Sequence, residues 1–127
     1  MIAVQASTKK LLFVDDDDVI VMLAAKTLER VGVAVDSFTD PEAALAAFAR
    51  APDDYDLVLS DVRLGATDAF DMCGELLRIR PQLRIVLTSG LVRAEDLQHA
   101  RALGIAEVLS KSHVLTRLPE LLGRLRV

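Results

Sequence analysis

Short apolar runs recur along this chain, and each stops at a polar residue. Leu11-Leu12-Phe13-Val14 runs into Asp15, and Leu57-Val58-Leu59 into Ser60-Asp61. Ile85-Val86-Leu87 runs into Thr88-Ser89, and Val108-Leu109 into Ser110-Lys111. Runs this short cannot make helices. They predict strands buried on both faces, as in a parallel sheet: 11–14, 55–61, 84–88 and 106–109. A further strand is predicted over 33–38, with Val33, Val35 and Phe38 set against Ala34 and Asp36. Between the runs the period turns helical. Ile20, Leu23, Ala24, Thr27 and Val31 share a face after Asp17 or Asp18 as cap, and Gly32 ends that helix. Asp40-Pro41-Glu42 starts a second helix, with Leu45 and Phe48 inward and Pro52 as its stop. Phe70, Cys73, Leu76 and Leu77 predict a third helix ending before Pro81, after a loop over 62–68. Residues 94–103 predict a fourth helix closed by Gly104. Leu118, Leu121, Leu122 and Leu125 stripe a fifth, with Pro119 in its first turn.

The pattern is strand then helix, five times over. Strict alternation of this kind specifies an α/β fold, a five-stranded parallel sheet with helices on both faces. Right-handed crossovers bring the C-terminal ends of all strands to one edge, where ligands bind in open α/β sheets. The elements use up the 127 residues and leave no room for a second domain; residues 1–9 read as a loose tail. The hydrophobic share of 52% indicates a packed globular domain. A net charge of −4 argues against direct DNA binding. Cys73, the single cysteine, excludes an intramolecular disulfide and lies on the apolar stripe of the third helix. No apolar stretch spans a bilayer and the start lacks the core of a signal peptide, so a cytoplasmic protein without membrane contact is expected.

The charged residues matter most at the strand ends. The shared edge is predicted to present Asp15 and Asp16 after the first strand and Asp61 after the third. Thr88 and Ser89 follow the fourth strand, and Lys111 the fifth. Three carboxylates in one place repel each other, and a hard divalent cation such as Mg²⁺ resolves that repulsion. The cation neutralises phosphoryl oxygens, and the hydroxyl and ammonium supply further phosphate contacts. Asp61 is then the nucleophile that takes up a phosphoryl group. Each part alone is common; the joint order on five strand-helix units is specific.

On those residues the chain resembles the receiver domains of two-component response regulators, from about Lys10 to the C-terminus. Val14-Asp15-Asp16 matches the acid pair, Leu59-Ser60-Asp61 the phosphoacceptor, Thr88-Ser89-Gly90 the switch hydroxyl and Leu109-Ser110-Lys111 the lysine. Asp68 matches an acid often found in the loop after the phosphoacceptor. The resemblance implies a flavodoxin-like (βα)5 doubly wound fold over 10–127. It implies Mg²⁺, with Mn²⁺ as a substitute, held by Asp15 or Asp16, Asp61 and the backbone carbonyl of Arg63. It also implies phosphotransfer from a histidine kinase or histidine phosphotransfer protein. Ser89 is preferred to Thr88 as the switch hydroxyl, because a small residue normally follows it and Gly90 fills that place. Thr88 is expected to point away.

Several positions depart from the family pattern. Ser112 stands where a proline commonly follows the lysine, so a trans bond is expected there. Gly65 and Ala69 replace the usual Pro and Gly of the loop after Asp61. Val108 replaces the aromatic switch residue, so coupling through a rotating ring is not available. Arg63 and Leu91 flank the expected phosphoryl position and are expected to tune its lifetime. His99 is expected to be exposed on the fourth helix, and His113 to lie in a loop.

The resulting expectation is a stand-alone phosphorylation switch, a monomer or weak dimer. Its output is a partner protein bound at the surface of the fourth helix, fifth strand and fifth helix. It is not a turnover enzyme beyond its own phosphorylation and dephosphorylation. The rival is a receiver-like binding module that works without phosphate. An aspartyl-phosphate phosphatase would carry a second acid where Arg63 stands. A flavodoxin-like electron carrier would carry a Ser/Thr/Gly-rich phosphate loop after the first strand.

Overall fold

The computed structural model describes residues 10–30, 32–105, 107–112 and 117. Five strands form the main sheet: β1 (Lys10–Val14), β2 (Ala34–Phe38), β3 (Tyr55–Asp61), β4 (Arg84–Ser89) and β5 (Glu107–Ser110). Four helices alternate with them: α1 (Asp18–Arg30), α2 (Pro41–Arg50), α3 (Phe70–Ile79) and α4 (Ala94–Leu103). The spatial order is β2-β1-β3-β4-β5, and every pairing is parallel. This order puts β1 and β3, the carriers of Asp15 and Asp61, side by side at the centre.

The alternation of the strands divides the core in two. Leu12, Val14, Val58, Ile85 and Leu87 face α2, α3 and α4, where Phe48, Cys73, Leu76 and Ala100 meet them. Leu11, Phe13, Leu57, Leu59 and Val86 face the other way, onto Ala24 and Leu28 of α1. Helices therefore cover both faces, as the strand-helix alternation requires. The Cys73 thiol is fully buried, and burial followed by the charge of Asp68 pushes its pKa up to about 12. It is a packing residue.

Local signals act where expected. Asp40 caps α2 by accepting from Ala43 N at 3.0 Å, with Pro41 in the first turn. Gly104 closes α4 at φ 87°, a left-handed position that a side chain would strain. Asp17 caps α1, its Oδ1 accepting from Val19 N at 2.9 Å.

Several details differ from the sequence reading. Leu23 does not face the core: it is 46% exposed, while Leu28 and Val21 pack inward. Phe38 belongs to the opposite core face from Val35, following the strict parity of β2. Val33 is buried but precedes β2, which starts at Ala34. The segment expected as a loop over 62–68 contains a small antiparallel hairpin, Arg63–Leu64 with Thr67–Asp68. β4 also runs one residue further than expected, to Ser89. Among the described residues no peptide bond is cis, so Lys111–Ser112 is trans as expected. Residues 1–9, Val31, Ala106, His113 and the whole expected fifth helix stripe, including Pro119, lie outside the described residues.

Candidate functional site

Asp15 follows β1 directly, Asp61 ends β3 and Lys111 follows β5. The parallel sheet brings all three to its C-terminal edge. The Lys111 ammonium lies 2.8 Å from Asp61 Oδ2 and 3.2 Å from Asp15 Oδ2, bridging the two. Asp16 completes a trio with Asp15 and Asp61, with carboxylate oxygens all within 4.8 Å of one another. Asp15 and Asp61 are buried and Asp16 is exposed. The site thus opens to solvent on the Asp16 side.

Backbone groups orient the acids. Asp15 Oδ1 accepts from Asp17 N at 2.9 Å. Asp16 Oδ2 accepts from Gly65 N at 3.0 Å, across 49 residues of chain. Gly65 sits at φ 68° in the hairpin turn, a backbone geometry that suits glycine and aims its N–H at the acid pair. Asp61 Oδ1 receives only a long contact of 3.4 Å from Arg63 N. Lys111 therefore engages one oxygen of Asp61 firmly and the second is weakly held. The Arg63 side chain is exposed.

Burial raises the Asp15 pKa above its ordinary 3.8, and the neighbouring Asp61 charge adds to the rise; the Asp17 N–H and Lys111 offset only part of it. Burial lowers the Lys111 pKa, but its contacts with Asp61 and Asp15 outweigh that and leave it above 10.5. The ammonium is therefore held charged at neutral pH, while Asp15 carries its own charge at a cost. Three acids face one cation. Their hard oxygen donors, already gathered, fit a small divalent ion such as Mg²⁺.

The hydroxyls divide differently from the expectation. Asp61 pairs laterally with Thr88, and both follow the parity of the α1 face. Alternation thus places Thr88 on the Asp61 side of the sheet, so Thr88 does not point away. Ser89 lies one step nearer the edge. Its hydroxyl donates to Leu91 O at 2.7 Å and receives Leu91 N at 3.2 Å. Thr88 instead fixes the loop after Asp61, its carbonyl accepting from Val62 N at 2.8 Å. Val108 is half-buried against the α2–α4 side of the core. His99 is exposed as expected, yet its ring stacks on Phe70 with centroids 3.9 Å apart. The sequence reading missed the Gly65 and Leu91 contacts. A glycine replacing a usual proline was the one signal for the first.

Fold and site together define a class: a doubly wound α/β domain with an acid trio and a lysine at the C-terminal edge of its sheet. The chain belongs to the response regulator receiver domain family, whose sequence profile matches residues 11–123. It is 34% identical over 104 residues to the aerobic respiration control sensor protein ArcB of Escherichia coli, covering 79% of this chain and 13% of ArcB. It is 30% identical over 122 residues to the transcriptional regulatory protein TcrA of Mycobacterium tuberculosis, covering 96% of this chain and 46% of TcrA. The chain therefore spans less than half the length of these relatives. Among solved structures, the Vibrio cholerae chemotaxis protein CheY4 superposes with a TM-score of 0.84 at 25% identity, covering 94% of this chain and 99% of CheY4. Receiver domains are signalling switches of two-component systems rather than turnover enzymes. They bind Mg²⁺ at an acidic cluster of the kind formed here, and they interact with histidine kinases or phosphotransfer proteins. No helix among the described residues is long and apolar enough to cross a membrane.

Proposed function

We propose that this chain is a phosphorylation-driven switch of the cytoplasm in which Asp61 is the phosphoacceptor. The observation that carries this reading is the Lys111 bridge between Asp15 and Asp61, with Asp16 in the same cluster. It joins a nucleophile, a fixed positive charge and an acid pair in one partly open site. The weakly held Asp61 Oδ1 attacks phosphorus. The P–N bond of a phosphohistidine breaks, and its electron pair leaves with the imidazole. Lys111 stays charged and steadies the phosphoryl oxygens as a point charge. Asp15, Asp16, Asp61 and the Arg63 carbonyl would hold Mg²⁺ or Mn²⁺, which supplies charge neutralisation to the transferring group.

Thr88, beside Asp61 on the same side of the sheet, is the hydroxyl best placed for the phosphorylated state, with Ser89 as the alternative. A phosphoryl group on Asp61 would draw the Thr88 hydroxyl toward it and shift the adjoining Ser89. Displacing Ser89 would break both of its bonds to the Leu91 backbone and so alter the segment between β4 and α4. This route would bypass the missing aromatic ring at Val108 and carry the change toward α4 and β5, the proposed output face for a partner protein. Arg63, exposed beside Asp61, would tune the lifetime of the acyl phosphate. On α1, exposed Val19, Met22 and Leu23 lie at helical spacing beside the acids. That apolar patch suits docking of the phosphodonor protein. A Burkholderia pseudomallei response regulator with a phosphorylated aspartic acid and a calcium ion superposes with a TM-score of 0.74; at 23% identity it supports only the fold.

The test is intact mass after incubation with Mg²⁺ and acetyl phosphate. Wild type should gain one phosphoryl group and Asp61→Asn none. Ser89→Ala and Thr88→Val, phosphorylated alongside, assign the hydroxyl: the variant that loses the phosphorylation-dependent amide shifts of Leu91 carries it. If a histidine kinase also fails to phosphorylate the wild type, the phosphate-independent module replaces this reading.

A further inference from the structure

A groove of about 470 Å³ lies between the N-terminal turns of α2 and α3 and the hairpin after Asp61. Its apolar part is formed by Leu64 and Met72, both buried, and by Leu45, half-buried. Five carboxylates line it as well: Asp40, Glu42, Asp68, Asp71 and Glu75. No Lys, Arg or His is among its lining residues. Asp40 and Asp68 each accept from a backbone N–H, and Glu75 is ion-paired with Arg78. Glu42 and Asp71 make no ion pair with any described residue. Each lies in the first turn of its helix, where a carboxylate also favours the helix dipole. That accounts for each acid singly. It does not account for their convergence over an apolar floor.

We propose that this groove docks a cationic, partly apolar segment of a partner protein. Five carboxylates without a lining cation repel anions and favour Lys or Arg. The floor of Leu64, Met72 and Leu45 favours an apolar side chain between those cations, and a methionine adapts to its shape. The volume suits a few side chains rather than a single hydrated ion. The hairpin forms the wall between groove and acid trio: Leu64, Thr67 and Asp68 line the groove, and Gly65 holds Asp16. The surface is separate from the proposed output face.

Fluorescence anisotropy with a labelled short peptide of alternating arginine and leucine tests the proposal on unphosphorylated protein. The comparison peptides replace leucine by serine, or arginine by glutamate. We expect the Arg-Leu peptide to bind most tightly, and E42Q/D71N to weaken it by roughly tenfold. Charge reversal in Asp71→Lys should weaken it further, and added salt should weaken wild-type binding. Amide shifts should map to Leu45, Leu64, Thr67 and Met72. Melting curves of the variants confirm that they fold. Equal binding of the Arg-Leu and Arg-Ser peptides would reduce the groove to a diffuse negative surface and overturn the proposal. So would unchanged binding by E42Q/D71N, amide shifts elsewhere, or self-association of the peptide-free protein through the same amides. Loss of phosphorylation in Asp61→Asn leaves this result untouched, so the two readings fail separately.

Discussion

The two ends of the same sheet carry charge in different ways. Toward the N-terminal ends of the strands, two ion pairs join neighbouring strands. Arg84 pairs with Glu107 at 2.9 Å, and Asp36 receives both the Tyr55 hydroxyl at 2.7 Å and the Lys10 ammonium at 3.5 Å. Arg80 donates to the carbonyls of Pro52 and Tyr55. At the C-terminal ends, three carboxylates gather and one ammonium pairs with two of them, Asp15 and Asp61, both buried. A buried charge without a matching partner costs stability. The mismatch at one end is what the proposed function uses, an added cation or phosphoryl group being the partner those acids would take. The paired end ties neighbouring strands together; the mismatched end is where the proposed chemistry falls.

Removing the single cation should break the comparison most visibly. In Lys111→Ala, Asp15 and Asp61 keep their burial and repulsion without the bridge. Urea denaturation in EDTA should show a loss of about 2 kcal/mol, below the usual figure for a buried pair because the lysine is partly exposed. Millimolar Mg²⁺ should restore part of that loss. An unchanged denaturation midpoint would mean that the edge was balanced without Lys111.

The opposite change should help the fold. Asp15→Asn keeps an oxygen for the Asp17 N–H and removes one of the three charges. Because the Asp15 pKa is raised in the folded protein, folding is opposed at neutral pH. That penalty is fully present above the raised value, fades as pH falls through it toward 3.8, and is gone well below 3.8. We expect Asp15→Asn to gain about 1 kcal/mol at pH 7 without divalent ions. The gain should vanish at low pH and reverse when Mg²⁺ stabilises the wild type. A gain that survives Mg²⁺ would remove Asp15 from the ion site.

The same contrast explains what the sequence made legible. The strands were readable because buried parallel strands are continuous apolar runs, and the site was readable because their ends must meet on one edge. The face of α1 was not. From Val19 to Ala25 every residue is apolar, so the helical period has no polar positions to fix its phase. Leu23 therefore fits an inward stripe as well as Leu28 does. The hairpin escaped because two-residue strands have no period to detect. The hydroxyl assignment rested on the small neighbour Gly90 rather than on register, and register put Thr88 on the side of Asp61. The acidic groove was invisible for a different reason. Its residues come from three elements, and each alone reads as a cap, a first-turn acid or a core position.

The smallest effect belongs to the paired end. Burial and the hydrogen bond to Asp36 push the Tyr55 pKa from 10.0 up to about 12. The neutral phenol is therefore favoured in the folded protein. Its contribution is fully present below pH 10 and lost as pH rises through about 12. Tyr55→Phe retains the ring that stacks on Phe48 and removes only the hydroxyl. At pH 8 we expect it to cost about 0.5–1 kcal/mol, independent of Mg²⁺. Between pH 10 and 12 the difference from wild type should close. The Cys73 thiol, also raised to about 12, titrates in both proteins and cancels from the comparison. Matched denaturation curves with and without Mg²⁺ provide the check. If the cost of Tyr55→Phe depends on Mg²⁺, the two ends are coupled through β3, and the paired end takes part in the switch.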